Sequence, residues 1–337
     1  MTSATNRRNV LLKELFPRGI PGLWCPLLTH FKSARQYDAE RIRGHLQFLS
    51  PHVKGILIAG STGEGWQMSD IEIHALLDTL LNSAQDTGMQ ILIGMLKRNA
   101  DDTIAGINAA ASFLQHPAVV GFTVCPPTGQ DLSQQQIQDD IARVLDLGWP
   151  TALYQLPQVT QNEMSAETVT ELAFEFSNFI MFKDTSGLDR VAKSGLNLGG
   201  VYLVRGSESG GYSQWLKTRG GPYDGFLLSS ANALASQLAA MMRLVADDEE
   251  LAAVELSRRI ESIINEAFEI ASSYSFGNPF AIANKLLDHV MAYGVEAEKQ
   301  VPPLLIDGNR LNEQDVARTV SLLRRFESMP TIGYMNE

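Results

Sequence analysis

The chain has 337 residues, of which 45% are hydrophobic and 19% charged, a composition that excludes a largely disordered protein. Its 27 basic and 38 acidic residues give a net charge of -11, which disfavours binding to nucleic acid or to an anionic membrane surface. The two cysteines, Cys25 and Cys125, and the absence of a secretory signal or a membrane-spanning apolar run predict a cytoplasmic protein without disulfides.

Short apolar segments alternate with amphipathic segments in the first two thirds of the chain. The predicted strands cover residues 22–28, 53–59, 90–95, 119–125, 151–154, 179–183, 201–205 and 225–228. The predicted helices cover residues 38–49, 70–85, 100–114, 133–147, 165–176, 188–196, 209–219 and 231–245. This alternation indicates βα units on a parallel sheet, and eight of them predict a closed (β/α)8 TIM barrel. An open doubly wound sheet more often has about five or six strands and a Gly-rich dinucleotide turn, which the chain lacks.

Strand signals stop near residue 247, and three further helices are predicted at residues 249–272, 279–293 and 312–328. The predicted organisation is an N-terminal segment (1–19), a barrel (20–246), a helical C-terminal extension (247–329) and a short, loose tail (330–337). The sequence thus predicts an α/β barrel that carries extra helices at its C-terminal end.

The sixth predicted strand ends in a lysine, Lys183, which follows four apolar residues. The carboxyl ends of barrel strands form the mouth at which active sites lie. An amine among apolar side chains loses hydration, which lowers the pKa of a lysine by up to about 3 to 5 units. The neutral amine can then attack a ketone and form a Schiff base. The alternative is a strand-end lysine that extends to solvent and has no chemical role.

Two other strand ends carry groups that suit the same chemistry. Tyr154 ends the fifth strand, beside the strand of Lys183, where a phenol can relay protons; the alternative is an aromatic residue of the barrel interior. Gly60-Ser61-Thr62-Gly63-Glu64 follows the second strand, and its amides and hydroxyls can hold a carboxylate. A purely structural turn is the alternative there.

The three motifs occur in the same order in the dihydrodipicolinate synthase and N-acetylneuraminate lyase superfamily, which the chain resembles from about residue 20 to residue 305. The quoted residues are Gly60-Ser61-Thr62-Gly63-Glu64, Tyr154-x-x-Pro157, Phe182-Lys183-Asp184-Thr185, Gly206-Ser207, Ser229-Ser230-Ala231-Asn232 and Asn278-Pro279. The resemblance implies a Schiff-base carbon-carbon lyase of class I.

The resemblance also implies the role of each site residue. Lys183 is the Schiff-base lysine, Tyr154 the proton relay, and Ser61 and Thr62 hold the 2-keto carboxylate, with Ser61 aiding Tyr154. The expected substrate contacts are Thr62, Thr185, Gly206, Ser207 and Leu227. No metal or organic cofactor is implied. The six histidines are scattered and form no ligand pair; His30, and likewise Thr128, is kept as an additional candidate for the site.

The chain departs from dihydrodipicolinate synthases at two places, and both limit the range of possible substrates. In dihydrodipicolinate synthases an arginine binds the aldehyde carboxylate, and the corresponding residue here is Val159. Those enzymes also carry a pair of tyrosines after the fourth strand, where this chain has Pro127 and Thr128. Both losses argue against lysine biosynthesis. Lys183-Asp184-Thr185 is similar to the 2-keto-3-deoxy-sugar-acid aldolases, in which the residue two after the lysine shapes the hydroxyl-binding site.

The first functional hypothesis is therefore an aldolase that cleaves a 2-keto-3-deoxy sugar acid into pyruvate and an aldehyde, or condenses the two. The alternatives are a dehydratase that removes water from a keto-deoxy sugar acid, a condensation like that of dihydrodipicolinate synthase, and a non-catalytic keto-acid sensor. The expected partners are a 2-keto acid, an aldehyde and further copies of the chain in a dimer or tetramer.

Overall fold

A computed structural model describes residues 3–336, with the side chains of all these residues except residue 85. Residues 1, 2 and 337, which belong to the predicted N-terminal segment and tail, lie outside the described residues. Among the described residues, none of the helices combines the length and the apolar character that crossing a bilayer requires.

Eight parallel strands form a closed barrel, in which the eighth strand pairs with the first. The strands are β1 (Leu23–Pro26), β2 (Gly55–Ile58), β3 (Gln90–Gly94), β4 (Val119–Val124), β5 (Thr151–Gln155), β6 (Phe179–Asp184), β7 (Tyr202–Arg205) and β8 (Gly225–Leu227). Nearly every strand residue is buried, because one face packs inside the barrel and the other against helices. The predicted (β/α)8 barrel is confirmed.

The barrel is surrounded by longer helices, and several of them begin at polar capping residues. These helices are α1 (Ser3–Leu15), α2 (Ala39–Leu49), α3 (Asp70–Thr87), α4 (Ala100–Ala110), α5 (Gln134–Leu145), α6 (Ala166–Glu175) and α7 (Ala231–Ala246). Asp38, Ser133 and Ser165 accept hydrogen bonds from backbone amides in the first turns of α2, α5 and α6. The predicted helix starts at residues 38, 133 and 165 therefore fall on the N-cap residues.

The predicted helix at residues 209–219 is wrong. The chain forms two short 3-10 helices there, Tyr212–Gln214 and Lys217–Arg219. Gly211 (φ 66°) and Gly220 (φ 78°) adopt left-handed backbone conformations that interrupt an α-helix. The predicted helix at residues 188–196 is likewise reduced to one turn, Arg190–Lys193.

The N-terminal helix α1 covers the end of the barrel opposite the mouth, and sequence analysis predicted no element there. Leu11, Leu12 and Leu15 of α1, with Phe16 after it, pack against the apolar interior of the barrel. The ring of Phe16 meets the indole of Trp24 edge to face at 6.2 Å. The barrel interior is thus closed at this end by the apolar residues of α1 and by Phe16.

Arg8 fixes α1 to the barrel. Its fully buried guanidinium donates to the carbonyl oxygens of Phe179 at 2.6 Å and Phe176 at 2.7 Å, and to those of Ala173 and Gly199. These acceptors lie on α6, at the start of β6 and before β7, so one side chain ties three segments together. Burial lowers the pKa of Arg8 to about 10, which leaves it charged at neutral pH.

The C-terminal extension packs against α7 and against the mouth. It contains α8 (Glu250–Ser272), α9 (Pro279–Tyr293) and α10 (Glu313–Arg325), close to the predicted bounds. A hairpin of Phe31–Ser33 and Gln36–Tyr37, which sequence analysis missed, lies between β1 and α2. The prediction of a loose tail is wrong, because the Tyr334 hydroxyl donates a hydrogen bond to Asp288 at 2.7 Å.

The buried contacts of Arg8 predict that Arg8→Met lowers the free energy of unfolding by about 3 kcal/mol, because it leaves buried carbonyl oxygens without donors. The midpoint of thermal unfolding, followed by circular dichroism, measures the loss. Arg7→Met is the matched control, since Arg7 is the exposed neighbour on the same helix. Equal midpoints for the two variants would contradict the anchoring role of Arg8.

Candidate active site

Lys183 lies at the mouth of the barrel as the fifth residue of β6. Its side chain is 4% exposed. Burial lowers the pKa of Lys183 to about 7, and the nearby Cys125, Glu208 and Cys25 offset part of that decrease. A substantial fraction of this amine is therefore unprotonated, and nucleophilic, at neutral pH.

Tyr154 lies directly beside Lys183, because the two residues are paired in the register of β5 and β6. The Lys183 Nζ atom is 3.9 Å from the centroid of the Tyr154 ring. Burial raises the pKa of Tyr154 well above its usual range, and a nearby Thr185 hydroxyl counters part of the increase. The contact between these hydroxyls falls short of a formed hydrogen bond. The phenol is thus protonated and next to the amine.

The loop after β2 carries the Ser61 and Thr62 hydroxyls, and both residues are buried. The backbone is tightly folded there: a Cβ atom at Gly63 would lie 2.6 Å from the carbonyl oxygen of Leu27. Ser61 accepts a hydrogen bond from Asn278 Nδ2 through its carbonyl oxygen at 3.2 Å. The hydroxyl-bearing turn predicted from the sequence is therefore a compact loop, held by the C-terminal extension.

Glu64 ties the same loop to the extension through a buried ion pair. Its carboxylate accepts from Lys285 Nζ on α9 and from the amide of Ile306 at 2.8 Å. Both charged side chains are 1% exposed. Lys285 also donates to the carbonyl oxygen of Leu304 at 2.6 Å, so each partner of the ion pair makes a further hydrogen bond to the backbone. Removing either partner would leave a buried charge uncompensated.

A cavity of about 570 Å³ opens beside this centre, and Thr185, Ser207 and Glu208 line it. The Thr185 hydroxyl is buried and has no hydrogen-bond partner among the described residues. Gly206 allows the close packing at this point, since a Cβ atom there would lie 2.7 Å from Lys183 Cε and 2.3 Å from Thr185 Oγ1. Thr185 and Lys183 consequently face the same side of the chain, as strand alternation predicts.

Leu227 occupies a different environment from the other candidates. It is 1% exposed and belongs to the apolar interior of the barrel, where it is paired with Trp24 of β1. Its contact with substrate stays a prediction.

Glu208 is a residue of the cavity that sequence analysis did not single out. Its carboxylate accepts hydrogen bonds from the Ser229 hydroxyl at 2.7 Å, from the Ser230 amide and hydroxyl at 2.8 Å each, and from the Tyr212 hydroxyl at 3.0 Å. It follows Gly206-Ser207 directly, and this position after a strand end was a signal in the sequence. The fixed negative charge lies near Lys183 and favours its protonated or iminium form.

A buried network behind β6 holds the strand end in place. Asp189 accepts from Arg205 Nε at 2.9 Å and from the Tyr223 hydroxyl at 2.7 Å. Asp184 accepts from the Ser186 amide at 2.9 Å and from the Tyr223 hydroxyl at 3.4 Å, so its carboxylate belongs to the same network. Asp184 therefore has a structural role, consistent with the alternation of side chains along the strand.

His30 and Thr128 do not join the cavity beside Lys183. Thr128 is hydrogen-bonded to the carbonyl oxygen of Arg98 through its amide at 2.9 Å. His30 Nε2 lies 3.1 Å from His45 Nδ1, and both histidines lie close to Asp288. The two histidines are 15 residues apart in the chain, a spacing that does not predict this contact.

Among the described residues, His30, His45 and Asp288 form the one group of side chains close enough together to bind a metal ion. The Asp288 carboxylate is already paired with Arg41, whose NH2 nitrogen lies 2.6 Å from Asp288 Oδ2. A second cation at this carboxylate would be repelled by the guanidinium. The cluster is therefore better explained as a buried ion-pair network than as a metal site.

Comparison with known proteins identifies the family. The model of the Dihydrodipicolinate synthetase family matches residues 20–306, which include every strand of the barrel and the loop of Ser61. The chain belongs to this family. Lys183, Tyr154 and the loop at residues 60–64 all lie within the matched region.

Two curated relatives and one solved structure illustrate the similarity. The probable 2-dehydro-3-deoxy-D-pentonate aldolase YjhH of Escherichia coli K12 is 25% identical over 293 residues, which cover 84% of this chain and 91% of that protein. An uncharacterized DapA-like lyase of Rhizobium meliloti is 24% identical over 167 residues. That match covers 48% of this chain and only 53% of the relative.

The solved structure is YagE, a prophage protein of the dihydrodipicolinic acid synthase family from E. coli K12, in complex with pyruvate. It superimposes with a TM-score of 0.73 at 20% identity and covers 91% of this chain and 99% of YagE. This likeness establishes a shared fold. The two relatives are named a probable aldolase and an uncharacterized lyase.

The close packing at Gly206 predicts that Gly206→Ala displaces the Lys183 side chain and lowers the free energy of unfolding by about 1–3 kcal/mol, as overpacking of a core does. The thermal unfolding midpoint and a crystal structure of the variant test this. Gly22→Ala is the control, because a Cβ atom there would meet only the flexible end of Met242 at 3.1 Å. A Gly206→Ala variant with an unchanged midpoint and an unmoved lysine would show that the space at Gly206 is not needed.

Proposed function

We propose that the protein is a Schiff-base aldolase that cleaves a 2-keto-3-deoxy sugar acid into pyruvate and an aldehyde, or runs the reverse condensation. The observation that carries the proposal is the buried amine of Lys183, with its pKa lowered to about 7, next to the protonated phenol of Tyr154. The relative YjhH, named a probable keto-deoxy-pentonate aldolase, supports the substrate class.

In this proposal the neutral Lys183 amine attacks the C2 carbonyl of the keto acid and forms a carbinolamine. Tyr154 donates its proton to the departing hydroxyl, so that water leaves and an iminium forms. A phenol whose pKa is raised gives a strongly basic phenolate. The phenolate then takes the proton of the C4 hydroxyl, the C3–C4 bond breaks, and its electron pair moves into the iminium to give an enamine. The C4 fragment leaves as the aldehyde, and Tyr154 returns the proton it took to C3 of the enamine. Attack of one water on the resulting iminium then releases pyruvate and restores the neutral amine of Lys183, and the proton set free returns to the Tyr154 phenolate.

The charged and polar groups around Lys183 would stabilise the charges of the iminium and of the substrate carboxylate. The iminium carries a fixed positive charge, which the nearby Glu208 carboxylate stabilises. The hydroxyls of Ser61 and Thr62 and the backbone of their loop would bind the keto-acid carboxylate. Because Glu64 and Lys285 hold this loop to the extension, it is preorganised for the substrate.

The distal part of the substrate would occupy the cavity lined by Thr185, Ser207 and Glu208. The unpartnered Thr185 hydroxyl and the side chains of Ser207 and Glu208 would bind hydroxyl groups of the substrate, whereas Ile264, Phe268 and Phe280 give the same cavity an apolar wall. Gly206 would allow the keto acid to approach the lysine, and Leu227 would form the apolar floor. The expected location is the cytoplasm and the expected assembly a dimer or tetramer.

Trapping of the Schiff base tests the chemistry. Incubation with pyruvate and borohydride should add a reduced pyruvyl group to Lys183, located by peptide mass spectrometry. The rate of trapping should rise through about pH 7 and then level off, because only the unprotonated amine attacks, whereas an ordinary lysine with a pKa of 10.5 would show a continuing rise. Lys183→Ala should abolish the adduct and Lys299→Ala, at a surface lysine that is 72% exposed, should not. An adduct at another lysine, or none, would refute the mechanism.

Product analysis tests the reaction. Several 2-keto-3-deoxy sugar acids should release pyruvate, and Tyr154→Phe should lower kcat/KM by about 10²- to 10⁴-fold, the usual contribution of a proton-transfer group. Tyr202→Phe is the control, because this tyrosine begins β7 and its hydroxyl donates to the carbonyl oxygen of Asp224. Formation of a keto-acid semialdehyde in place of pyruvate would instead identify a dehydratase.

A further inference from the structure

A second cavity, of about 390 Å³, lies between the connection that follows β1 and the C-terminal extension. His30, Phe31 and Lys32 form one wall, with Arg41 of α2 beside them, and residues 301–304 and Arg310 form the other. None of its lining residues lines the cavity beside Lys183. The proposed reaction thus uses no residue of this second cavity.

The lining carries a net positive charge, although the whole chain carries a net charge of -11. Lys32, Arg41 and Arg310 contribute three positive charges, and Asp38, which lies 3.9 Å from Lys32 Nζ, contributes one negative charge. Asp288, which pairs with Arg41 behind the wall, brings the balance to 3 - 2 = +1. The cavity therefore suits an anion.

Arg41 has the geometry of an anion-binding group. Its NH2 nitrogen is held by Asp288 Oδ2 at 2.6 Å, and the guanidinium carbon lies 4.9 Å and 5.1 Å from the ring centres of Tyr293 and Tyr334. Its NH1 nitrogen is buried and has no hydrogen-bond partner among the described residues. A fixed guanidinium with spare donors binds carboxylate and phosphate groups well.

Apolar and aromatic side chains also line the cavity. They belong to Phe31, Val301, Pro302 and Tyr293. A bare inorganic ion would leave this surface in contact with water. A carbon skeleton that carries one anionic group would cover it.

The second cavity is connected to the loop that carries Ser61 and Thr62. Thr29, next to His30, donates its hydroxyl to the carbonyl oxygen of Gly63 at 2.9 Å. Lys285 Nζ lies 4.7 Å from the ring centre of Phe31 and donates to the carbonyl oxygen of Leu304, and both of these residues line the cavity. The same ammonium pairs with Glu64. A ligand in the cavity would thus contact residues that are bonded to the groups holding the loop at residues 60–64.

We propose that this cavity is a second ligand site, which binds a small organic anion through a carboxylate or phosphate group held by Arg41, Lys32 and Arg310. The proposal does not depend on the reaction assigned to Lys183. Phe31 and Leu304 of the lining contact Lys285, and Thr29 next to His30 binds Gly63, so the ligand would act as an effector of the loop at residues 60–64.

Isothermal titration calorimetry of the full chain at constant ionic strength tests the site, with inorganic phosphate and succinate as separate probes. At least one should bind saturably, and the stronger probe identifies the preferred anionic group. Lys32→Gln and Arg310→Gln should each raise its Kd about tenfold, the effect of losing one charge-assisted hydrogen bond. Both residues are exposed, so these variants avoid breaking the buried Arg41–Asp288 pair.

Lys217→Gln is the control, because Lys217 is a 52% exposed lysine in an ion pair with Asp224 and does not line the cavity. It should leave the Kd unchanged. The proposal is overturned if neither probe binds saturably. It is also overturned if binding survives in Lys32→Gln and Arg310→Gln but is lost in Ser61→Ala, since the anion would then occupy the loop beside Lys183. Borohydride trapping at Lys183 is measured separately, so failure of one proposal is distinguishable from failure of the other.

Discussion

Desolvation of one amine governs the chemistry that this molecule can perform. Barrel closure surrounds Lys183 with buried residues, and no acid forms a salt bridge with it among the described residues. The charged form is consequently disfavoured, and the pKa falls towards neutrality. Nearby Glu208 limits that fall and offers stabilisation to a positively charged iminium. The same burial keeps the Tyr154 phenol protonated, so a nucleophile and a proton donor lie side by side at the mouth of the barrel.

The C-terminal extension completes the site although it contributes no nucleophile. A buried ion pair is costly to assemble, and the pair of Glu64 and Lys285 is stabilised by a further hydrogen bond from each partner to a backbone group. It fixes the loop of Ser61 from behind, while Asn278 caps α9 and binds the same loop. The Asn278-Pro279 motif seen in the sequence is thus a helix start with a second contact to the site. The extension also forms one wall of the second cavity, which links both sites to a single helix.

Sequence reasoning succeeded where the signal was local. The buried strands appear as β-branched runs, and the caps at residues 38, 133 and 165 mark helix starts to within one residue. It failed where distant contacts decide the structure. The helix α1 has a weak apolar pattern, and it is fixed by Arg8, which reads as an ordinary surface charge until its acceptors 165 or more residues away are known. Likewise the segment at residues 209–219 has helical composition, but its glycines adopt left-handed conformations.

By itself the sequence determined the eight strands, the strand-end positions of Lys183 and Tyr154, and the family motifs that connect them, because these depend on residue type and short spacing. Only the tertiary structure decided that the amine is buried beside the phenol, that Glu208 is near it, and that His30 meets His45 and Asp288 instead of the mouth. The pKa of a lysine, the pairing of buried charges and the shape of a cavity arise from groups that are far apart in the chain. They are set by the closure of the barrel and the docking of the extension.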